Sequence, residues 1–236
     1  MGSDNDNFFH KRKAQREKDR EKKARQRFER RILVITEGET EQIYFQDMCN
    51  ILGHVNVEVQ ACCRGTSFRN LISEATTLTK TAKKEGVGYT HVFCIFDLDV
   101  ETDSAIQIAR EIHGKKVNSA IIYAITSYPC VEFWFLLHFK YSCSPFLSKG
   151  GRTTGDVAKS TLRQLWPEYH VTLPLTYQIL ERLQVEKQQI AYTNAKRVFE
   201  HQTNCGSFNP ITNVHELFIF LKTLKEKEVV ENFSCV

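Results

Sequence analysis

Two apolar runs in this chain end abruptly in acid. In ILVITEGETEQ, five apolar or β-branched residues lead into Glu37, with Glu39 and Glu41 close behind. In YTHVFCIFDLDVETD, a longer run ends in Asp97 and Asp99, followed by Glu101 and Asp103. Asp97 and Asp99 are two residues apart, so in an extended segment they face the same side. Glu41 lies about one helical turn beyond Glu37. Bringing Glu37, Glu41, Asp97 and Asp99 together would raise their pKa values by mutual repulsion and oppose folding of the site. A divalent cation removes that cost. Oxygen-only ligands select Mg²⁺ or Mn²⁺ over zinc, and such sites make or break phosphodiesters. The plainer reading, a solvated loop acid or a charge complementing a helix N-terminus, suits Glu39, Glu101 and Asp103 better than the other four.

The elements that must position these acids alternate in kind. RILVIT reads as a buried strand, and Gly38 turns the chain into a helix over EQIYFQDMCNIL. Val55–Cys62 alternates like a strand and Ser67–Lys84 reads as a helix. A second apolar strand spans Tyr89–Asp97, a helix follows over Thr102–His113, and another strand covers Ser119–Thr126. A very apolar helix, CVEFWFLLHF, then opens after Tyr128-Pro129. This alternation predicts an α/β fold, a parallel sheet flanked by helices. The strands are continuously apolar, as burial on both faces requires. Ligands of such sheets bind beyond the carboxyl ends of the strands, where Glu37 and Asp97 fall.

Residues 141–152 read as a loop, and helical patterns follow over Asp156–Leu165, Leu175–Gln188 continuing to Phe199, and Asn213–Leu224. Three units result: a basic arm over 1–31, an α/β core over 32–140, and a helical C-terminal extension over 141–236. Glu132 lies in an otherwise apolar helix, so it must be paired, exposed or metal-bound. His138 fits a satisfied core histidine. Phosphoryl chemistry also wants a cation near the developing charge. Among several Lys and Arg, Lys187 and Lys196 sit on C-terminal helices able to face the crevice. Asn209 and Thr212 read as helix caps. SKGGRTTGD lacks the spacing of a phosphate loop and reads as a flexible connection.

The 236-residue chain carries a net charge of +4, but unevenly. Lys11 to Arg31 holds 12 Lys/Arg against 4 Asp/Glu, leaving the body acidic. Lys11, Arg12, Lys13, Arg16, Lys22, Lys23 and Arg25 form either a solvated charged helix or an arm that binds nucleic-acid phosphates. The eight cysteines show no CxxC spacing, which argues against a zinc site and for reduced thiols in a cytoplasmic protein. No apolar run reaches membrane-spanning length, and the charged N-terminus is unlike a secretory signal.

The strand ending in Glu-Gly and the later strand ending in Asp-x-Asp resemble the Toprim domain, a Rossmann-like fold found in topoisomerases, primases and OLD-type nucleases. TEGETE resembles the form found in the OLD and RloB-like branch. YPCVEFWFLLHF, NPITNVHEL and the helix around IAYTNAKRV resemble further RloB-like segments, so the resemblance spans roughly residues 31–224. It implies a metal-dependent nuclease acting on DNA or RNA in bacterial anti-phage defence, encoded beside ATPase partners. By position, Glu37 would ligate metal or move a proton, and Glu41, Asp97 and Asp99 would hold Mg²⁺, with Glu132 a further candidate. Two departures are Tyr128, where Asn is usual, and Leu98, where Arg is frequent. Two other readings stand beside the nuclease. One is a metal-, nucleotide- or nucleic-acid-binding module that acts only with its ATPase, and the other is a nucleotidyl transferase. A homo-oligomer is compatible with all of these.

Overall fold

The computed structural model describes residues 13, 15–18, 31–63, 67–98, 102–170 and 185–224, without the side chains of 102 and 185–188. Strand β1 (Ile32–Thr36) leads into helix α1 (Glu39–Leu52), and β2 (Val57–Ala61) into α2 (Phe68–Lys84). Next come β3 (His91–Asp97), α3 (Thr102–Ile112), β4 (Lys115–Val117), β5 (Ala120–Tyr128) and a short helix α4 (Glu132–Leu136). The C-terminal part contributes α5 (Thr154–Leu165), α6 (Val185–Cys205), β6 (Ile211–Thr212) and α7 (Val214–Thr223).

The sheet runs β2-β1-β3-β5-β4, with β6 also on β5. β1, β2, β3 and β5 are parallel, whereas β4 and β6 pair antiparallel with β5. This is the mostly parallel, helix-flanked architecture that the alternating pattern predicts.

Successive strand residues point to opposite faces, so the sheet separates two cores. Ile32, Val34, Phe93, Ile95, Tyr123 and Ile125 join α1, α4, α6 and α7 on one side. Leu33, Ile35, Val92, Cys94, Phe96 and Ile122 join α2 and α3 on the other. His138 is buried with Nδ1 3.1 Å from the Trp134 carbonyl, as a core histidine should be.

Several expectations need correction. The apolar run Cys130–Phe139 does not make one long helix; α4 has five residues. Its end is tied down from outside, because Asn194 on α6 donates to the Leu137 carbonyl at 2.9 Å. Helix α7 falls within one residue of the Asn213–Leu224 pattern, and the residues just before it, Ile211–Thr212, pair with Ser127–Tyr128 as a short strand that the pattern does not predict. Asn209 does not cap a helix. Its carboxamide exchanges two hydrogen bonds with the Phe146 backbone, each 2.8 Å, and pins the 141–152 loop. Thr212 behaves as a cap in part, accepting from the Val214 N–H at 3.2 Å. The predicted helix Leu175–Gln188 lies mostly outside the described residues. Among the described residues, no helix is long and apolar enough to cross a membrane.

Among the described residues, the middle of the outer edge of β5 has no strand beside it. Asn213 takes that place with its side chain and backbone together. Its Oδ1 accepts from Thr126 N–H at 2.7 Å, its Nδ2 donates to the Ala124 carbonyl at 3.1 Å, and its own N–H donates to the Thr126 carbonyl at 3.2 Å. One buried asparagine thus satisfies edge groups that would otherwise be orphaned, and it fixes the C-terminal segment to the sheet.

Candidate functional site

β1 and β3 are neighbours in register, with Thr36 opposite Ile95. Their carboxyl ends therefore emerge side by side, and the ladder continues one step past β1, where the Glu37 N–H donates to the Ile95 carbonyl at 3.0 Å. The Glu37 side chain then folds across, and its Oε2 accepts the Asp97 backbone N–H at 3.2 Å. The two acidic strand tips meet as the sequence pattern requires.

The turn after Glu37 delivers the third acid. Thr36 Oγ1 donates to the Gly38 carbonyl at 2.8 Å and holds the turn. Gly38 has φ −127°, a backbone open to any residue, so space is what selects glycine here. A Cβ at that position would lie 2.9 Å from Glu41 Oε2. Glu41, in the first turn of α1, is only 6% exposed. Burial pushes its carboxyl up to about 7, and the charges of Glu132 and Glu37 push the same way. A hydrogen bond from its own backbone and the charge of Lys159 act in opposition. Glu41 is thus held where a proton or a cation must offset its charge near neutral pH.

Glu132, at the start of α4, is 2% exposed. Its Oε1 accepts the Tyr169 hydroxyl at 2.9 Å, while the Cys130 thiol donates to the Gly155 carbonyl at 3.9 Å. The Tyr169 hydroxyl is pushed up, by burial first and then by the Glu132 charge. Cys130 is raised well above the ordinary thiol value, by burial and then by the charges of Glu132 and Asp97. Glu132 is thus a buried acid held by the Tyr169 hydroxyl, and its charge acts on Glu41.

The structure therefore brings together Glu37, Glu41, Asp97 and Glu132. Asp99 and Glu101 lie outside the described residues. Leu98, between the two aspartates, is fully buried in the α2/α3 core. Lys187 lies on α6 with its side chain outside the described set. Lys196 is surface-exposed, 3.9 Å from Glu200, and its charge reaches His215. Of the basic arm, Lys13 and Arg16 are exposed and helical. Lys11, Arg12, Lys22, Lys23 and Arg25 lie outside the described residues.

The cation that does act on the site was not singled out from sequence. Lys159 sits on α5, and its charge reaches Glu41 and Cys130. A signal existed: Gly155, Ala158 and Leu162 form the buried face of α5, and Lys159 is the charged residue adjoining that stripe. Tyr169 was missed as well, since it follows the end of α5 in a segment without periodicity.

The donor set fits a hard cation. Glu37, Glu41 and Asp97 offer carboxylate oxygens, and Glu41 is short of compensating charge. Among the described residues, no three His, Cys, Asp or Glu side chains are already at mutual metal-binding spacing.

No curated protein and no solved structure matches the chain significantly. A family model for RloB-like proteins matches residues 32–221, from the first strand through the last described helix. That span contains both acidic strand tips, Glu132 and the Asn213 edge device, and the chain belongs to the RloB-like family.

Proposed function

We propose that this chain is a divalent-metal-dependent nuclease of the Toprim kind, hydrolysing phosphodiester bonds in DNA or RNA. The observation that carries the reading is the Glu37 carboxylate lying 3.2 Å from the Asp97 N–H, with Glu41 buried close enough to feel the charges of Glu37 and Lys159. Two sheet strands and a helix N-terminus converge their acids at the carboxyl edge of a parallel sheet, the usual place for a ligand. Glu37, Glu41 and Asp97, with Asp99, would hold Mg²⁺ or Mn²⁺. Bound there, the cation would supply charge to the phosphate oxygens and acidify a water.

The chain's own residues do the rest. Glu37 is oriented by the Asp97 backbone and can take a proton from a water. Glu132, fixed by Tyr169, would help to hold Glu41 in place from the start of α4. Lys159 lies where a phosphate oxygen would gain from a cation. The basic arm over 11–31 would hold the nucleic-acid backbone. An anti-phage role is proposed on the family resemblance.

A second reading is favoured by one observation. Glu41, raised to about 7, leaves the site partly protonated near neutrality. That suits a binding module or a nuclease held silent until a partner ATPase completes it.

Incubating plasmid, single-stranded DNA, tRNA and mRNA with the protein, with and without Mn²⁺, separates the readings. The nuclease reading expects metal-dependent cleavage that Asp97→Ala reduces at least about 100-fold. Binding without cleavage points to the module, and nucleotide incorporation points to a transferase.

A further inference from the structure

Between residues 140 and 163 the chain carries five Lys/Arg (140, 149, 152, 159 and 163) against one acid, Asp156. Residues 32–139 carry 13 acids against 8 Lys/Arg. A strongly basic segment therefore follows an acidic core, and the fold brings the two into contact.

The basic segment is built rigidly. Lys149 and Arg152 pair backbone to backbone, with Lys149 N–H donating to the Arg152 carbonyl at 3.3 Å and Arg152 N–H to the Lys149 carbonyl at 3.2 Å. Gly150 and Gly151 between them have φ 61° and 79°, the two positive values that a tight two-residue hairpin turn demands. Both basic side chains are exposed at this tip.

Each flank is anchored. On one side the Asn209 carboxamide clasps the Phe146 backbone, and the Phe146 ring meets Phe133 edge-on at 5.9 Å. On the other, Thr153 and Asp156 form a capping box that starts α5 at once.

The first turn of α5 rests on the site. The Cys130 thiol lies 3.9 Å from the Gly155 carbonyl, and Cys130 feels the charges of Glu132 and Asp97. One turn further on, Lys159 acts on Glu41. Arg152 directly precedes Thr153, the N-cap of α5, so the basic tip leads straight into the helix turn that carries Gly155.

We propose that the Lys149–Arg152 turn and Lys159 form a track for the phosphate backbone of a nucleic-acid strand, guiding it to the carboxylates. This rests on the reading that the site takes nucleic acid. The turn supplies two exposed cations at a fixed spacing, and Lys159 supplies a third at the edge of the site. Because the contacts are to phosphates, the track confers affinity and register but no sequence preference.

The test is fluorescence anisotropy of the full chain with a labelled single-stranded DNA and an RNA of the same sequence. It is run in Ca²⁺ across a salt series. Lys149→Gln/Arg152→Gln is expected to weaken binding about tenfold at low salt and to flatten the slope of log K against log salt by about 1.4. Lys159→Gln should flatten it by a further ~0.7. Lys149→Arg/Arg152→Lys keeps both charges and should restore the slope, which a merely structural role for the turn would not produce.

Unchanged affinity and slope in the double variant would overturn the track while leaving the cleavage result with Asp97→Ala untouched. If the unsubstituted chain binds neither strand, the track and the nucleic-acid reading fall together.

Discussion

Glu41 is the residue on which the site's energetics turn. Its carboxyl is raised from 4.5 to about 7. A raised carboxyl favours the protonated folded state, so the stability it contributes is fully present below pH 4.5 and is lost as pH rises through 7. The loss amounts to about 3 kcal/mol at most. Glu41→Gln should therefore be more stable than the unsubstituted protein at pH 8 in EDTA, and Mg²⁺ should close the gap by stabilising only the latter. Burial pushes His215 down to about 4, which has the opposite sign: stability is present above pH 6.5 and lost as pH falls through 4. In Glu41→Gln that acid sensitivity should stand uncompensated. Melting temperatures from pH 4 to 8 check both statements: parallel curves for the two proteins would refute the first, and a Glu41→Gln curve that stays flat below pH 6.5 would refute the second.

Gly38 gives a separate handle at the same scale. Gly38→Ala places a methyl 2.9 Å from Glu41 Oε2 on a backbone that accepts it. The carboxylate, as the end of a flexible side chain, must move. The variant should stay within about 1 kcal/mol in stability yet lose at least about tenfold in metal affinity or cleavage. Calorimetry and a cleavage assay on one preparation decide it, and full activity would show that Glu41 needs no fixed position.

Among the elements, the strands that carry the acids were legible because each is a continuous apolar run closed by charge. β1 and β3 fall within two residues of their expected bounds. The elements that sequence did not reveal are those too short to have a period. β4 has three residues and β6 has two, and neither contains a repeat that pattern reading can register. Asn213 was hidden for a different reason. The pattern reads it as the first residue of a helix, whereas its carboxamide stands in for a strand. Removing it strands a buried N–H and a buried carbonyl on β5. Asn213→Ala should cost about 2–4 kcal/mol in denaturant unfolding, and a loss under about 1 kcal/mol would mean that water replaces the carboxamide. Lys159 and Tyr169 escaped notice because the contact between α4 and α5 is tertiary, and no local spacing announces it.

At the scale of the molecule, an acidic parallel-sheet core is bordered by the basic segment 140–163; Asn209 holds that segment at Phe146, while Asn213 and Asn194 fix the C-terminal helices to the core. The sheet order places β1 beside β3, and this adjacency turns two separate sequence motifs into one site. Everything proposed for the chemistry depends on that site gripping a divalent ion. Titrating Mn²⁺ into the full chain at pH 7.5 by isothermal calorimetry tests it most directly. The account predicts saturable binding that is lost in both Glu37→Gln and Asp97→Asn. Absence of binding, or equal binding in both variants, would contradict it.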